Sequence, residues 1–206
     1  KNIYLRGIYA SSGGTFNIHN NTVDNVGGDD QSIAMMNYNG SGFFANNTVT
    51  NSNDGIVSNW SRGTKYLNNT IVNSGSGIHT DNYAPAWGSA PLGPEVIEGN
   101  LVKDNPLGYG IFVFAPFGQV TVNNNIIQNM GVGFAASGSN SPLGSSIFTN
   151  NIVDGRSIVE GTGAYITTSL WGWGYAPVNT IFNNNLFINN ETCFYIEEQT
   201  TPVGLT

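Results

Sequence analysis

Charged residues are scarce in this chain of 206 residues: only 9% of them are Asp, Glu, Lys or Arg. Lysine and arginine together number 6, and the formal net charge is −7. A surface that binds nucleic acid needs clustered basic residues, so a nucleic-acid partner is not expected. There is also no apolar run long enough to span a membrane as a helix.

Cysteine is almost absent, since Cys193 is the single one. One cysteine cannot form a disulfide within the chain. Its neighbour Phe194 has the spacing of a core residue, so we expect Cys193 to be a small buried hydrophobe rather than a reactive thiol.

What the chain has in abundance is a repeated asparagine. It recurs at intervals of about 22 to 34 residues, usually directly after a second asparagine, at Asn21, Asn47, Asn69, Asn100, Asn125, Asn151 and Asn185. An apolar residue lies three positions before each of them and another two positions after. Asn, Asp or Gly follows four positions after each. Such self-similarity is typical of a solenoid, in which each repeat buries its apolar face against the next.

Apolar and polar residues alternate within each repeat, which predicts strands rather than helices. A third short strand recurs further on, usually opened by glycine, at Gly7-Ile8, Ser32-Ile33, Gly55-Ile56, Gly77-Ile78, Gly110-Ile111, Gly133-Phe134, Gly163-Ala164 and Cys193-Phe194. Three strands per turn, stacked about 4.8 Å apart, predict an all-β parallel β-helix of about seven to eight rungs. Asparagine suits its corners, because it tolerates left-handed backbone and can bond to the same amide one rung away.

The repeats resemble the right-handed parallel β-helix superfamily, that of pectate lyases, polygalacturonases and surface-protein repeats. The resemblance is carried by the runs Asn46-Asn47-Thr48-Val49-Thr50-Asn51 with Gly55-Ile56, and Asn68-Asn69-Thr70-Ile71-Val72-Asn73 with Gly77-Ile78. It spans nearly the whole chain and implies a fold, but no activity. We therefore expect one parallel β-helix domain over residues 1–206. Residues 1–6 already alternate as a strand, and neither terminus reads as a cap, so we expect the solenoid to be uncapped at both ends.

The surface is expected to be rich in Asn, Gly, Ser and Thr, which is unusual for a cytosolic enzyme. Acceptor sequences for N-glycosylation occur at Asn20, Asn39, Asn46, Asn59, Asn68 and Asn190. These features favour an extracellular or cell-surface location. Chance also generates such sequences in an Asn- and Thr-rich solenoid, so both interpretations stay open.

In this superfamily the functional face is generally the strand opened here by Gly-Ile. Its outward positions are predicted to be Tyr9, Ala34, Val57, His79, Phe112, Ala135, Tyr165 and Tyr195. The segments after two of these strands carry aromatic rings of the kind that stack on sugars or anchor interfaces, at Tyr83, Trp87, Trp171, Trp173 and Tyr175. The alternative is that these rings fold back over the apolar strand face.

Acidic residues form a second candidate site, because Asp29, Asp30, Asp54 and Asp81 lie near the starts or ends of neighbouring predicted strands. Such carboxylates could serve as acid and base in glycoside hydrolysis, and Asp29, Asp30 and Asp54 could hold calcium. The stretch from Gly28 to Ala34 is similar to the Gly-Asp-Asp-Cys-Ile-Ala segment of polygalacturonases, with one residue inserted. The Gly-His-Gly and Arg-Ile-Lys signatures of those enzymes are missing. A lyase would need an arginine or lysine base beside the acidic cluster, and only Arg62 and Lys65 are near.

The sequence therefore favours a non-enzymatic extracellular solenoid that forms or decorates a filament or cell surface by end-to-end stacking of its own copies, with glycan contacts through its aromatic residues. A polysaccharide lyase or glycoside hydrolase is the first alternative. A carbohydrate-binding module is the second. No cofactor is expected beyond the calcium just considered.

Overall fold

The computed structural model describes residues 3–11, 13–82, 93–139, 143–155, 161–168 and 179–197, and throughout these ranges the chain forms strands and no helices. Accordingly, no helix able to cross a membrane is found in them. The strand pairs are parallel and fall into two sheets. The predicted all-β parallel β-helix is confirmed.

One sheet has seven strands, which stack in chain order. They are β2 (Thr15–His19), β5 (Ser41–Ala45), β7 (Thr64–Leu67), β9 (Glu95–Glu98), β11 (Gln119–Asn123), β13 (Ser145–Thr149) and β16 (Thr180–Asn183).

The other sheet has eleven strands. They are β1 (Arg6–Ala10), β3 (Thr22–Asp24), β4 (Ile33–Tyr38), β6 (Thr48–Ser61), β8 (Thr70–Asn82), β10 (Leu101–Phe114), β12 (Ile126–Ser137), β14 (Ile152–Asp154), β15 (Thr162–Thr167), β17 (Leu186–Ile188) and β18 (Thr192–Glu197).

Each long strand of this sheet supplies two of the three strand segments of a rung. Strands β6, β8, β10 and β12 bend at a residue with left-handed backbone, with φ between 52° and 65°, namely Asn51, Asn73, Asp104 and Asn129. Asparagine and aspartate adopt this conformation more readily than other non-glycine residues. We call the segment before the bend the first limb and the segment after it the second limb. Elsewhere the limbs are separate strands, as in β14 and β15.

The repeated asparagines form a ladder along the corner between the seven-stranded sheet and the first limb. From Asn47 to Asn185, each side-chain oxygen accepts hydrogen bonds from the backbone N–H and the Nδ2 of the ladder asparagine one rung earlier, at 2.8 to 3.1 Å. From Asn47 onward, each Nδ2 also donates to a backbone carbonyl of the preceding rung, at 2.8 to 3.0 Å. The residue before each ladder asparagine turns the corner with φ between 53° and 69°. The predicted asparagine ladder is confirmed.

The glycines that open the second limb leave no room for a side chain. A Cβ atom on any of them would lie 2.4 to 2.7 Å from a backbone oxygen of the next rung and close to an apolar side chain of the first limb, at Gly7, Gly55, Gly77, Gly110, Gly133 and Gly163. Glycine at these positions lets the second limb approach the core residues of the neighbouring strand. The recurring Gly-Ile pattern therefore reflects the close approach of neighbouring strands at this corner.

The apolar columns read from the sequence line the interior. Phe44, Tyr66, Ile97, Val122 and Phe148 of the seven-stranded sheet are all fully buried. They pack in one continuous cluster with the branched residues of the first limb, such as Val49 and Ile71, and with Ile56, Ile78 and Ile111 of the second. This interior fixes which side chains of each limb point outward.

Candidate functional site

The outward column of the second limb runs the length of the solenoid. In register it contains Tyr9, Met36, Val57, His79, Phe112, Ala135, Tyr165 and Tyr195. The sequence-based assignment of Ala34 to this column was wrong. Two extra residues precede β4, so Met35, rather than Ile33, takes the core position beside Ile56. The side chain of Ser32 instead closes a turn at Asp29.

The middle of this face is covered although its side chains point outward. Met36, Val57 and Phe112 are each no more than 6% exposed. At the two ends of the column, by contrast, Tyr9 and Tyr195 are 53% and 54% exposed. Open aromatic surface is therefore found at the ends of the face.

His79 is the one titratable side chain in the covered part of this column. Its Nε2 lies 3.3 Å from Oδ1 of Asp81. Its ring stacks on Phe112 at a centroid distance of 4.7 Å and meets Phe114 edge-on at 6.0 Å. Burial lowers the pKa of His79, but the close carboxylate of Asp81, with the charge of Asp54, outweighs it and raises the pKa above its usual value. The arrangement favours a charged imidazolium held by a carboxylate.

A second polar group lies near the end of the column. Tyr165 and Tyr195 stack at 5.6 Å with an angle of 23° between the rings. The hydroxyls of Tyr165 and Thr167 both donate to Oε2 of Glu197, each at 2.7 Å. These two bonds lower the pKa of the Glu197 carboxyl, and burial together with Glu197 raises the pKa of Tyr165 to about 12. A stacked aromatic pair thus lies beside a fixed carboxylate.

The four predicted catalytic residues each make local contacts. Oδ1 of Asp29 accepts from the N–H of Gln31 within a turn, at 2.8 Å. Oδ1 of Asp54 accepts from the N–H and hydroxyl of Ser76, and Asp81 pairs with His79. Asp30 contributes its backbone carbonyl, which accepts from Nδ2 of Asn53 at 2.6 Å.

The catalytic role of Asp29, Asp30, Asp54 and Asp81 stays a prediction. In the ranges that the structure describes, no group of three or more His, Cys, Asp or Glu side chains is placed to hold a metal ion. Asp29, Asp30 and Asp54, the predicted calcium ligands, all lie within those ranges and form no such group.

The predicted aromatic contacts cannot be placed. Tyr83, Trp87, Trp171, Trp173 and Tyr175 all fall outside the described residues. Their role in ligand binding stays a prediction.

The glycosylation acceptors differ in access. Asn20, Asn46 and Asn68 are exposed at the left-handed corner position, one per rung. Asn39 and Asn59 are partly buried, and the Nδ2 of Asn190 donates to the carbonyls of Val153 and Ile188. Access therefore favours the three corner asparagines as the modified ones, should the protein be glycosylated.

Cys193 corrects one sequence-based expectation, because it is exposed and free. It lies one rung beyond Gly163 in the glycine column, next to Phe194, which pairs with Ala164. No described rung lies above it, so the position is open.

The two ends of the solenoid present apolar side chains that are covered elsewhere. In β15 the inward residues Ala164 and Ile166 are at most 4% exposed. Their partners in β18, Phe194 and Ile196, are 43% and 45% exposed. The partly buried hydrophobic residues packed on the core all come from the outermost strands, or from their flanks, at Ile3, Ile8, Phe16, Ile18, Phe182 and Phe187.

The sequence matches the family described as "Right handed beta helix region" over residues 1–153. The chain therefore belongs to the right-handed β-helix family. Comparison with curated proteins and with solved structures yields no match.

Proposed function

We propose that this right-handed β-helix protein is a non-enzymatic, extracellular solenoid whose copies stack end to end into a filament or a cell-surface layer. The observation that carries the proposal is the jump in exposure from Ala164 and Ile166 to Phe194 and Ile196 along the same inward columns. Exposed apolar surface of this kind marks interaction sites. One more parallel rung would cover these columns again.

Backbone groups at both ends also support stacking of a second copy of the chain. In the described part of the chain, β16, β17 and β18 each pair with a preceding strand alone, and β1, β2 and β3 with a following strand alone. An unpaired strand edge is a template for another strand. A second copy that continues the parallel ladder would cover core residues and pair these edges together.

The asparagine ladder gives the two ends opposite polarity. Each ladder amide oxygen accepts from the rung before, so the amide oxygen of Asn21 has no donor in the described chain. At the other end, Asn185 has no ladder oxygen to which its backbone N–H can donate. A rung added beyond Asn185 must therefore offer an acceptor, and a rung added before Asn21 a donor. Unlike, complementary ends make a heterologous contact, which propagates into a fibre.

A charge in the terminal core tests this proposal. Phe194→Asp should abolish axial assembly, because the carboxylate would have to be buried without a partner at the contact. We expect wild-type protein to form filaments or head-to-tail oligomers by light scattering and electron microscopy at neutral pH, and the variant to be monomeric with unchanged circular dichroism.

The matched control is Leu107→Asp, since Leu107 is 93% exposed on β10, away from both ends. It should assemble like wild type. A monodisperse wild-type monomer, or filaments that persist in Phe194→Asp, would overturn the proposal.

Glycan contact on the outward face is a second candidate, favoured by the group around Tyr195. An exposed ring can stack on the apolar face of a sugar, and the adjacent Glu197 carboxylate can accept hydrogen bonds from sugar hydroxyls. Trp87, Trp171 and Trp173, which the sequence predicts as glycan contacts, lie outside the described ranges. The low charge and the exposed corner acceptors Asn20, Asn46 and Asn68 suit an extracellular setting of either kind.

For this second candidate we expect Tyr195→Ala to weaken polysaccharide binding about tenfold, which corresponds to about 1.4 kcal/mol. Titration of tryptophan fluorescence with a panel of neutral and acidic polysaccharides would measure it. Tyr4→Ala serves as the control, because Tyr4 is 68% exposed and lies outside the outward column. Equal affinities in wild type and both variants, or no change of emission with any polysaccharide, would remove the candidate.

A further inference from the structure

The solenoid interior contains a polar cluster where the second limb meets the seven-stranded sheet. Along one inward column, Asn37, Ser58 and Thr80 precede Val113, Ala136 and Ile166. Along the facing column, Thr64 and Glu95 precede Val120. The early rungs thus bury polar groups at positions that later rungs fill with hydrocarbon.

Most of these polar groups satisfy one another. The hydroxyl of Ser61 donates to Oγ1 of Thr64 at 2.7 Å, and Nδ2 of Asn37 donates to the same oxygen at 3.1 Å. All three side chains are at most 1% exposed. The cluster is therefore a buried network and not an open surface.

Glu95 stands out in this network because it is a carboxyl group only 3% exposed. Its Oε1 accepts from the hydroxyl of Thr80 at 2.5 Å and from that of Tyr66 at 3.4 Å. Its Oε2 has no hydrogen-bond partner within the described chain. A bare carboxylate oxygen in such surroundings is costly, whereas a proton on it removes the charge.

In the part of the chain that the structure describes, no positive charge compensates Glu95. Three neighbouring strands place residues near Glu95. Strand β7 contributes Tyr66 and β11 contributes Val120. Strand β8 contributes Asp81, whose ion-pair partner His79 lies on the outer side. No basic side chain of the described ranges forms an ion pair with it. The charge of Asp81 acts on it and has the same sign.

We propose that Glu95 is a buried proton-binding site, a neutral carboxylic acid that joins β7, β8 and β9 inside the solenoid, so that folding takes up one proton. Burial is the main cause that raises the pKa of Glu95, to about 8, and the charge of Asp81 adds to it, while the hydrogen bonds from Thr80 and Tyr66 act in the opposite direction.

The sign of the pH dependence follows directly. The folded protein keeps this proton up to about pH 8, whereas the unfolded chain loses it near the ordinary value of 4.5. The stabilisation is complete below pH 4.5 and is lost progressively as the pH rises toward 8. Within that window the ratio of folded to unfolded protein attributable to Glu95 falls about tenfold per pH unit.

The test compares Glu95→Gln, which mimics the neutral acid, with wild type in urea unfolding followed by circular dichroism. The unfolding constant of wild type relative to the variant should rise about tenfold per pH unit between pH 5.5 and 7.5, or roughly a hundredfold in all. Glu98→Gln, which changes a partly exposed side chain on the same strand, is the control; relative to Glu95→Gln, its unfolding constant should show the same roughly hundredfold rise as wild type. A flat ratio for Glu95→Gln would overturn the proposal.

Two further measurements cover other outcomes. Should Glu95→Gln fail to fold, the infrared carbonyl band of a protonated carboxyl, measured on wild type at pH 6, still decides: its presence supports the proposal and its absence opposes it. At pH 8.5 the stability should be equal in sodium and choline chloride of equal ionic strength. A specific gain in sodium would mean that a cation, rather than a proton, fills the site.

Discussion

Gly110→Ala is expected to destabilise the protein by roughly 3 kcal/mol and to lower its thermal midpoint by roughly 6 to 12 °C. A Cβ at this position would lie 2.4 Å from the backbone oxygen of Gly133 and 2.5 Å from Cγ2 of Ile127. The first neighbour belongs to the paired strand β12 and cannot move without breaking the parallel ladder. The second is a fully buried β-branched side chain with little rotamer freedom.

The matched control is Gly27→Ala, because no atom lies within 4 Å of the Cβ that it would add. It should change the midpoint by less than about 1 °C, since a surface substitution without new contacts is nearly neutral. Thermal unfolding followed by circular dichroism compares the two. Equal midpoints would show that the corner can widen and that glycine there is not required by packing.

This column of glycines illustrates how much of the fold was predictable from the sequence. The pattern Gly-Ile recurs because the same steric limit recurs on successive rungs, so it could be recognised without knowing the contacts behind it. The same holds for the ladder asparagines and for their apolar neighbours, such as Tyr66 and Ile71. A solenoid repeats its physical environment, and the sequence repeats with it.

Predictions failed where one rung departs from the others. Ser32-Ile33 resembles the strand openings of other rungs, but the turn at Asp29 adds residues, and Ala34-Met35 occupies the equivalent place. Spacing alone does not reveal such an insertion, because Ile33 is itself buried, in a small outer cluster with Met36 and Val57. The predicted burial of Cys193 was wrong for a different reason. Its place in the strand pattern was identified correctly, but its burial depends on a rung above it.

The polar interior could have been found from the sequence. Glu95 lies two residues before Ile97 on the same strand, so the alternation that places Ile97 in the core also directs Glu95 inward. An acidic residue at an inward position of an alternating strand is a signal that composition and motif searches overlook. The pairing of His79 with Asp81, two residues apart on one strand, was accessible by the same alternation.

The second large loss of stability is expected from a substitution in the asparagine ladder. Asn69→Ala should lower the free energy of unfolding by about 1 to 3 kcal/mol, because it leaves buried polar groups on both neighbouring rungs without partners. The amide oxygen of Asn69 accepts from the backbone N–H and Nδ2 of Asn47, both at 3.0 Å. Its Nδ2 donates to the carbonyl of Phe44 and to Oδ1 of Asn100. Because Asn69 is only 1% exposed, water cannot replace these bonds unless the corner opens.

Asn68→Gly is the control from the same corner. Asn68 is exposed and has φ of 53°, a conformation that glycine adopts freely, so its loss should cost less than about 1 kcal/mol. Urea unfolding of both variants measures the difference, and hydrogen exchange locates it: the amide of Asn47 should lose protection in Asn69→Ala and keep it in Asn68→Gly. If the two variants were equally stable, the corner would be held by backbone pairing and core packing alone, and the asparagine ladder would be a consequence of the turn conformation and not a source of stability.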